Sequence, residues 1–455
     1  MNDPDASIAW FRDASPYIEA HRGRTLVIAL PGRLLRSDIL SNLTQDLTLL
    51  GRLGLRLVLC FGLRAQLEDR VASDTDGARI VDGRRVTDDA ALEAVIDAAG
   101  RARTDLEARL SRGLPNTPMA GSPLTVSSGN LVAARPFGIH DGVDFRHTGT
   151  VREVRVAAIR TLLDAGHLVL LPPLGHSLTG DVFNLPVGEV AEQVAIALGA
   201  DKLVWFVDRL PADGNGRIIR QASADSLAAE FVPYPPEERD PGSPGVGDAE
   251  SRTSAVPDDA RLGRIVERAC RASRAGVARV HLLDEHDPDA LLAELFSRDG
   301  RGTMVTATRW DHVRDAVIAD VGGLIELIAP LQESGALVTR SREQLELDIE
   351  RFVVSERDGA IIACAALHVH EDSAEIACVA THPAYRGQGY ADALLALLEE
   401  RARRAGARRA LLLSTRAGHW FVERGYLETT PDALPPARRA SYSSRRNSKV
   451  YQKAL

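Results

Sequence analysis

Residues 375–398 read EIACVATHPAYRGQGYADALLALL, and this segment governs the fold predicted for the C-terminal third of the chain. Residues 375–380 predict a strand, and the apolar residues after Tyr390 recur at helical spacing over 390–405. Between strand and helix lies the loop Arg386-Gly387-Gln388-Gly389. Glycines at the start of a helix leave backbone N–H groups open, and the helix dipole attracts anions there. With the charge of Arg386 the loop predicts a pyrophosphate site, although a tight turn alone would also explain both glycines.

The sequence on either side of this segment predicts a small sheet covered by helices. Further strands are predicted at 352–356, 361–368 and 410–414, and further helices at 320–331 and 344–349. Arg357-Asp358-Gly359 predicts a hairpin turn between the first two of these strands. A change of pattern near 302–309 separates this region from the rest of the chain.

The Arg-x-x-Gly-x-Ala spacing from Arg386 to Ala391, between a strand and a helix, resembles the acyl-CoA loop of the GNAT acetyltransferase family. The resemblance implies acetyl-CoA as co-substrate and a strand that separates from its neighbour to pair with the pantetheine arm. It also implies that the backbone N–H groups of 378–380 polarise the thioester carbonyl. The expected cofactor-binding residues are Cys378, Val379, Ala380, Arg386, Gly387, Gln388, Gly389, Tyr390 and Ala391.

Two polar residues at strand ends are the candidate catalysts. Acetyl transfer to an amine needs a base for the ammonium proton and an acid for the departing thiolate. Glu375 begins the strand that leads into the loop and is the expected base; a solvated glutamate at a strand end is the alternative. Ser414 ends the next strand and is the expected donor to the sulfur; a turn or helix-capping role is the alternative.

The front of the chain alternates short apolar strands with helical patterns, which predicts a parallel sheet covered on both faces. Strands are predicted at 25–30, 55–61, 167–171, 202–207 and 277–283, and helices at 43–53, 89–110, 151–165, 187–198 and 258–275. Residues 233–254 are dense in proline, glycine, serine and acids, and they predict an inserted loop.

Several segments of this region resemble, in order, the amino-acid kinase family, and acetylglutamate kinases in particular. They are VIALPG (27–32), FGLRAQL (61–67), SSGN (127–130), FNLPVGEVAEQVA (183–195) and VHLLDEHDPDALLAELFSRDGRGT (280–303). Ala29 stands where that family has a catalytic lysine, Pro31 where it has a glycine, and Gly188 where it has an aspartate. Phosphoryl transfer depends on charge stabilisation and positioning, so these losses predict a domain that is inactive as a kinase.

A kinase-like domain followed by a GNAT domain resembles the bacterial N-acetylglutamate synthase family. The expected organisation is an amino-acid kinase-like α/β sandwich at 1–303, a linker at 304–310 and a GNAT domain with a mixed sheet at 311–455. The resemblance implies acetyl transfer to L-glutamate, which opens arginine biosynthesis. Arginine forks suit the carboxylates of glutamate. The implied substrate-binding residues are Arg340, Cys378 and Arg446, with a solvated charge as the alternative for both arginines.

The same resemblance implies inhibition by L-arginine, bound between an N-terminal helix and the loop after Glu-Leu-Phe. The implied inhibitor site comprises Tyr17, Glu294, Gly300 and Gly302. A carboxylate suits a guanidinium, whereas a local salt bridge at Glu294 and simple turns at the glycines are the alternative. The resemblance further implies a homo-hexamer assembled through the N-terminal helix.

The composition of the chain argues against nucleic-acid binding, a metal site and a membrane span. A net charge of −8 argues against a nucleic-acid partner. Cys60, Cys270, Cys364 and Cys378 are far apart and form no CxxC pair, so no metal site is expected. The N-terminus carries acids and no apolar run spans a membrane, so a cytoplasmic protein without a membrane partner is expected.

Two other functions stay open on the sequence. One is an acetyltransferase of the same fold that acts on another amine, and the other is a non-catalytic arginine sensor. Replacing Arg340 and Arg446 should raise the KM for glutamate only if glutamate is the substrate. Arginine binding without any turnover would indicate the sensor.

Overall fold

The structure is a computed structural model. It describes residues 4–71, 80–81, 84–114, 116–117, 119–120, 123–231, 258–307, 312–357, 359–387, 389–440, 442 and 448–455. Gln388 and Arg446 of the predicted sites lie outside the described residues, as do Asp358 of the predicted turn and the predicted loop at 233–254.

The chain forms two compact units, Met1–Arg309 and Trp310–Leu455. The linker predicted at 304–310 therefore begins too early. Residues 304–306 belong to the strand Thr303–Thr306, which pairs within the sheet of the first unit. The short apolar run TMVT was too brief to identify from its pattern alone.

The first unit is a layered α/β structure. Its helices are α1 Pro4–His21, α2 Ile39–Arg52, α3 Arg64–Val71, α4 Asp89–Leu110, α5 Val156–Asp164, α6 Val187–Leu198, α7 Ala224–Glu230, α8 Asp258–Arg274 and α9 Ala290–Phe296. Its strands are β1 Thr25–Leu30, β2 Arg56–Phe61, β3 Ile80–Val81, β4 Arg84–Arg85, β5 Val126–Ser127, β6 Val132–Pro136, β7 Ile139–His140, β8 Val143–Asp144, β9 Gly149–Val154, β10 Leu168–Leu171, β11 Leu174–His176, β12 Val182–Asn184, β13 Lys202–Val207, β14 Gln221–Ser223, β15 Arg279–Asp284 and β16 Thr303–Thr306.

The main sheet of this unit has the order β14-β16-β15-β13-β1-β2-β10-β5 in the described part of the chain. Its neighbouring strands are parallel except β15 and β16, which are antiparallel. The central strand β1 reads TLVIAL because both of its faces are buried. Val27 and Ala29 enter the core on one face, and Leu26, Ile28 and Leu30 enter the core on the other. The predicted sheet with both faces covered is confirmed.

One predicted helix of the first unit is wrong at its start. Residues 149–154 form β9, which pairs antiparallel with β6, and α5 begins only at Val156. The segment GTVREV alternates in polarity and carries β-branched residues, which suit a strand. It belongs to a second sheet, β12-β11-β6-β9, that the sequence did not indicate. The helices predicted at 89–110 and 187–198 and the strand at 202–207 have the predicted bounds.

The second unit is built on one mixed sheet. Its elements are β17 His312–Asp315, α10 Val321–Glu333, α11 Arg342–Leu347, β18 Phe352–Arg357, β19 Ala360–Val369, β20 Ser373–Thr381, α12 Tyr390–Arg404, β21 Arg409–Ser414, α13 Gly418–Val422, β22 Leu427–Thr429, α14 Pro436–Ala440 and β23 Lys449–Ala454. The sheet order is β17-β18-β19-β20-β21-β23-β22 among the residues described.

Helices cover both faces of this sheet. Val321 and Leu324 of α10 pack on one face, and Leu394 and Leu398 of α12 pack on the other. Of the pairings in this sheet, β20 with β21 is parallel and the others that the structure describes are antiparallel. No helix in the described ranges is long and apolar enough to cross a membrane.

Candidate active site

A gap opens between the two parallel strands of the second unit. β20 and β21 pair at three positions that end with Glu375 opposite Leu411. Beyond that point β20 continues to Thr381 and β21 to Ser414, each still paired with its other neighbour. The facing edges therefore carry backbone groups that an extended ligand with amide bonds can satisfy. The strand separation predicted from the sequence is present.

β20 bulges beside this gap. Cys364 pairs with Ala380 and Ala366 with Ala377, so that Cys378 and Val379 together face one residue of β19. Cys378 has φ +54°, a left-handed conformation that is uncommon outside glycine. A bulge takes one residue out of the ladder and re-aims its backbone. The bulge therefore takes the backbone of 378–379 out of the regular pairing with β19.

The predicted phosphate loop has the expected backbone form. Gly387 has φ +77° and Gly389 has φ +85°, conformations that glycine adopts without a steric cost. Gly389 directly precedes α12, and no side chain caps that end of the helix in the described residues. Its first N–H groups can therefore face an anion. Tyr385 is buried and lies edge-on to Tyr390 at 6.0 Å between ring centroids, which anchors the loop at both ends.

Glu375 is buried at the closed end of the gap. It is 5% exposed, so it is not the solvated strand-end glutamate of the alternative interpretation. Its Oε2 accepts a hydrogen bond from Arg438 Nε of α14 at 2.7 Å. His368 is its cross-strand partner on β19. Any proton transfer to Glu375 therefore competes with its ion pair to Arg438.

Ser414 lies half-buried at the end of β21, on the other side of the gap. Its Oγ accepts a hydrogen bond from the N–H of Ala417 at 2.9 Å, which is the turn role considered from the sequence. A hydroxyl has an O–H to donate as well as lone pairs to accept with. Because Ser414 only accepts in its hydrogen bond with Ala417, its O–H group is still available to donate.

Arg340 and Cys378 are distant in sequence but lie together in the structure. The Arg340 guanidinium is 5.9 Å from the centroid of the Phe352 ring. A hydrogen bond with Cys364 lowers the pKa of the Cys378 thiol against the effect of burial, and the charge of Arg340 lowers it further. Cys364 is fully buried, and its Sγ lies 3.5 Å from the carbonyl oxygen of Cys378 as a donor. Two of the three predicted substrate-binding residues, Arg340 and Cys378, are therefore close together in the described structure.

A second polar cluster lies in the first unit around Glu294. Its Oε2 accepts hydrogen bonds from the N–H groups of Arg301 and Gly302 at 2.7 and 2.8 Å, and its Oε1 lies 2.6 Å from Nδ1 of His281. Burial raises the pKa of Glu294, but His281 and the two backbone donors outweigh it and lower that pKa to about 2. The carboxylate is therefore ionised, and His281 Nδ1 must donate to it.

The other nitrogen of His281 is an unused acceptor. Burial and the charge of Lys202 lower the pKa of His281, so the ring is neutral and Nε2 carries no proton. His281 is 2% exposed, and Nε2 meets no donor among the described residues. A buried acceptor of this kind calls for a donor from outside the cluster.

Helix α1 reaches the same cluster from its last turn. His21 Nε2 lies 2.7 Å from the carbonyl oxygen of Leu295, which is the residue after Glu294. The His21 and Phe296 rings lie 5.7 Å apart. Tyr17, one turn earlier in α1, is half-buried and packs against the core on this face of the sheet. The structure therefore brings the N-terminal helix, Glu294 and the 297–303 loop together, as predicted.

Four residues of these two sites were not singled out from the sequence: Arg438, Cys364, His281 and Lys202. Arg438 lies 63 residues beyond Glu375 in the sequence, and only the fold brings the two side chains together. His281 lies inside a strand with apolar residues on either side, where a histidine usually completes a core. Only three-dimensional proximity to Glu294 distinguishes it.

Comparison with known proteins agrees with this architecture. Residues 24–230 match the amino acid kinase family, and residues 324–426 match the acetyltransferase (GNAT) family. Amino-acid acetyltransferases of Pseudomonas fluorescens strain Pf0-1 and Pseudomonas putida strain GB-1 are 44% and 45% identical to the chain. Each alignment covers 98% of this chain and 99% of the relative.

Two crystal structures of N-acetylglutamate synthase from Neisseria gonorrhoeae are 36% identical and cover 98% of this chain and 99% of their own. The complex with coenzyme A and L-arginine superposes with a TM-score of 0.83, and the complex with coenzyme A and N-acetyl-glutamate with 0.60. Identity above 40% over nearly the full chain indicates the same family as the Pseudomonas relatives. The gap between β20 and β21 and the glycine loop before α12 are consistent with it. The chain belongs to the amino-acid acetyltransferase family, with an amino-acid kinase fold followed by a GNAT domain that uses acetyl-CoA.

Proposed function

We propose that the chain transfers the acetyl group of acetyl-CoA to the amino group of L-glutamate, the first step of arginine biosynthesis, and is inhibited by L-arginine. The observation that carries the substrate assignment is the guanidinium of Arg340 beside Cys378 at the bulge. A guanidinium binds a carboxylate with two parallel hydrogen bonds. The Neisseria synthase, complexed with coenzyme A and N-acetyl-glutamate, supports a product with the same carboxylates.

In the proposed complex, acetyl-CoA lies in the gap between β20 and β21. The pyrophosphate rests against the loop of 386–391, and the pantetheine amides pair with the free edge of β20. Arg340 holds one carboxylate of glutamate, and Arg446 is the proposed partner of the other. This placement directs the amino group toward Glu375 at the closed end of the gap.

Glu375 acts as the base once it is released from Arg438. The ion pair of 2.7 Å holds the carboxylate while the site is empty. The substrate ammonium competes with Arg438 as a cationic partner of Glu375, and that exchange frees the carboxylate to take the ammonium proton, directly or through water. The base therefore becomes active only when the substrate is present.

The bulge and Ser414 serve the thioester. The amine attacks the carbonyl carbon, and the N–H groups of 378–380 stabilise the oxyanion that forms. Collapse of this intermediate breaks the C–S bond. The second proton of the attacking amine passes to the departing thiolate, and the Ser414 hydroxyl, directly or through water, donates a hydrogen bond to the sulfur. Cys364 supports the arrangement because its thiol donates to the carbonyl of the bulged residue.

L-arginine is the proposed ligand of the cluster around Glu294. Its guanidinium would supply the N–H donor that His281 Nε2 lacks and would share the Glu294 carboxylate. Tyr17 and His21 of α1 would close the site from one side, and the 297–303 loop from the other. The Neisseria complex with L-arginine supports an arginine site in a chain of the same architecture.

The experiment that tests both parts is CoA release from acetyl-CoA with each amino acid in turn, with and without L-arginine. Turnover with glutamate, suppressed by arginine, is expected. Turnover with a different amine would keep the transferase and overturn glutamate as substrate. Arginine binding without turnover on any amine would overturn the catalytic proposal.

Arg340→Gln tests the carboxylate contact directly. We expect the KM for glutamate to rise by about tenfold or more, because a charge-assisted hydrogen bond is lost, while the KM for acetyl-CoA stays unchanged. Arg342→Gln is the matched control, since Arg342 is exposed and pairs with Glu346 on its own helix. An equal effect of both substitutions would contradict a specific role for Arg340.

We further propose a homo-hexamer in the cytoplasm, with α1 in the assembly contacts. Ile8, Trp10 and Phe11 of α1 are exposed, and such side chains in a row favour burial against another subunit. Light scattering on the full chain should give six times the mass of one chain. A monomer at assay concentration would overturn this assignment.

A further inference from the structure

Two of the four cysteines lie side by side at the bulge of β20. Cys364 of β19 and Cys378 of β20 belong to the same hydrophobic core, on the face of the sheet that α10 covers. Cys364 Sγ lies 3.5 Å from the carbonyl oxygen of Cys378, and the two thiols also share a hydrogen bond. Both are free thiols.

The bulge determines how Cys378 meets Cys364. The register that pairs Cys364 with Ala380 would place Cys378 opposite Ala366 in a regular ladder, but Ala377 takes that position instead. Cys378 is thus the extra residue of the bulge, with φ +54° and its carbonyl turned toward the Cys364 thiol. Glycine adopts this conformation at no steric cost, whereas another residue loses about 1–2 kcal/mol. A thiol therefore stands where the backbone alone favours glycine.

Cys378 differs chemically from the other three thiols, all of which lie in the described ranges. The hydrogen bond from Cys364 lowers the pKa of Cys378 against the effect of burial, and the charge of Arg340 lowers it further. Burial raises the pKa of Cys60 and of Cys270, and buried thiols of that kind are inert. A thiol beside an arginine with a lowered pKa is the type that attacks disulfides.

The pair can be reached from the acyl-CoA gap. β20 pairs with β21 only up to Glu375, so Cys378 lies in the stretch of β20 that borders the gap. Cys378 is 6% exposed, whereas Cys364 is fully buried behind it. A reagent held in the gap therefore meets Cys378 first, and Cys364 is accessible only to the sulfur of Cys378.

We propose that Cys378 is a site of reversible modification by the disulfide of CoA, and that Cys364 is the thiol that converts this modification into an internal disulfide. One half of CoA disulfide would occupy the gap in place of acetyl-CoA and present its sulfur to β20. The proposal rests on the use of acetyl-CoA by the GNAT unit and not on glutamate as the acceptor.

The chemistry is two successive thiol–disulfide exchanges. The Cys378 thiolate attacks the sulfur of the bound half, a new S–S bond forms, and the outer half leaves as a thiolate that takes up the proton lost by Cys378. Cys364 Sγ then attacks the sulfur of Cys378, and its proton passes to the departing CoA thiolate. Two protein thiols are oxidised, and CoA disulfide is reduced to two molecules of CoA.

The internal disulfide would stop acetyl transfer. Oxidised Cys364 has no S–H group to donate to the carbonyl oxygen of Cys378, and the new bond draws the bulge toward β19. Cys378 also no longer presents a thiol beside Arg340. Oxidation thus acts on the backbone that borders the acyl-CoA gap, and reduction restores it.

The test is mass spectrometry of the full-length chain after incubation with CoA disulfide and blocking of the remaining thiols. We expect a loss of two hydrogen atoms and a peptide pair joined through Cys364 and Cys378, both reversed by dithiothreitol. Desulfo-CoA, which has the shape of CoA without the thiol, should slow the reaction because it fills the gap. Free thiols at both positions after incubation would overturn the proposal, and so would equal rates with CoA disulfide and oxidised glutathione.

A serine at position 364 separates the two exchanges. Cys364→Ser keeps an O–H group that can donate to the carbonyl of Cys378 but has no sulfur to attack with, so a mixed disulfide with the mass of one CoA should stay on Cys378. Cys270→Ser is the matched control, since it removes one buried thiol of the first unit and should form the internal disulfide at the natural rate. A mixed disulfide that persists in the natural chain as well would remove Cys364 from the reaction.

Activity of the natural chain gives a second measurement in case Cys364→Ser folds poorly. CoA disulfide should lower the initial rate of acetyl transfer by about tenfold or more, in step with the loss of the two thiols, and dithiothreitol should restore it. Cys270→Ser should lose and regain activity in the same way. A chain that carries the internal disulfide and keeps its full rate would show that the modification does not control transfer.

Discussion

At the scale of single residues, the clearest steric constraint is glycine at position 300. Glu294 receives donors from Arg301, Gly302 and His281, and two of them come from the loop that Gly300 bends. Gly300 has φ +58°, and a Cβ there would lie 2.2 Å from Glu294 Oε2. Any side chain at 300 must therefore displace the carboxylate that we assign to arginine.

Gly300→Ala should abolish inhibition by arginine and leave the basal rate with glutamate within about twofold, because the substitution lies in the first unit. Gly138→Ala is the matched control: Gly138 has φ +89° but open space around it. The control carries only the conformational cost of a positive φ, about 1–2 kcal/mol. Retained inhibition in Gly300→Ala, measured as CoA release against arginine concentration, would contradict this arrangement.

Glu375→Gln tests the base. The amide keeps the shape of the side chain but takes up no proton, so kcat should fall by about 10²–10⁴-fold. The KM for acetyl-CoA should change little, because the loop and the gap remain. Glu371→Gln, on an exposed residue just ahead of the same strand, is the control and should retain full activity. A variant at 375 with a normal rate would remove Glu375 from the mechanism.

At the scale of elements, the reliable predictions came from long periodic segments. The helix Asp89–Leu110 and the strand Lys202–Val207 were predicted with their observed bounds, because each has a strong pattern and clear ends. The second sheet of the first unit was missed because its strands are short and half-polar, such as LGH and VFN. Residues 151–154 fit a helical period, but they form a strand because they pair with β6.

The candidate active site likewise has parts that are local in the sequence and parts that only the fold brings together. The glycine loop and the strand leading into it are local in sequence, so their form was predictable. The Arg438–Glu375 ion pair joins residues 63 apart, and the Arg340–Cys378 contact depends on the folding of α11, β18 and β19, which lie between the two residues in the sequence. In the described structure, Nε2 of His281 lacks a donor because of the residues that surround it in the fold. Those residues are distant in the sequence, so no local pattern predicts it.

The contact between α1 and α9 gives the first unit a predictable response to acid. Burial, together with the charge of Lys202, lowers the pKa of His21 to about 4 from an ordinary 6.5. As the pH falls, the unfolded chain therefore takes the proton before the folded one does. The stability that depends on neutral His21 is fully present above pH 6.5 and is lost as the pH falls toward 4, by up to about 3 kcal/mol.

His21→Gln should remove this dependence, because an amide can still donate to Leu295 but does not titrate. Urea unfolding of the first unit at pH 7.5 and at pH 5 should show a smaller loss for the variant than for the natural chain, by about 1–2 kcal/mol. His176→Gln, an exposed histidine of β11, should behave like the natural chain. Identical pH responses of His21→Gln and the natural chain would show that His21 is not the titrating group.

At the scale of the whole molecule, the chain joins an amino-acid kinase fold to a GNAT unit that uses acetyl-CoA. Ala29 and Gly188 offer neither the cation nor the carboxylate that the kinase resemblance implies at these positions, yet Glu294 has a full set of hydrogen-bond donors. We propose that the first unit binds a ligand that controls the second, which would give the kinase fold a role that needs no phosphoryl transfer. Such control is a coupling free energy, and it acts equally in both directions.

Equilibrium binding can measure that coupling when turnover is slowed by Glu375→Gln. The affinity for L-arginine should fall when CoA and N-acetyl-glutamate are bound, and the affinity for this pair should fall by the same factor when arginine is bound. A factor of about 5–150 is typical of such coupling. Adding Glu294→Gln should abolish arginine binding and leave the affinity for the pair unchanged. If arginine slows turnover in the natural chain but neither affinity changes, arginine acts on the rate of the chemical step, and the control is kinetic rather than a shift in binding.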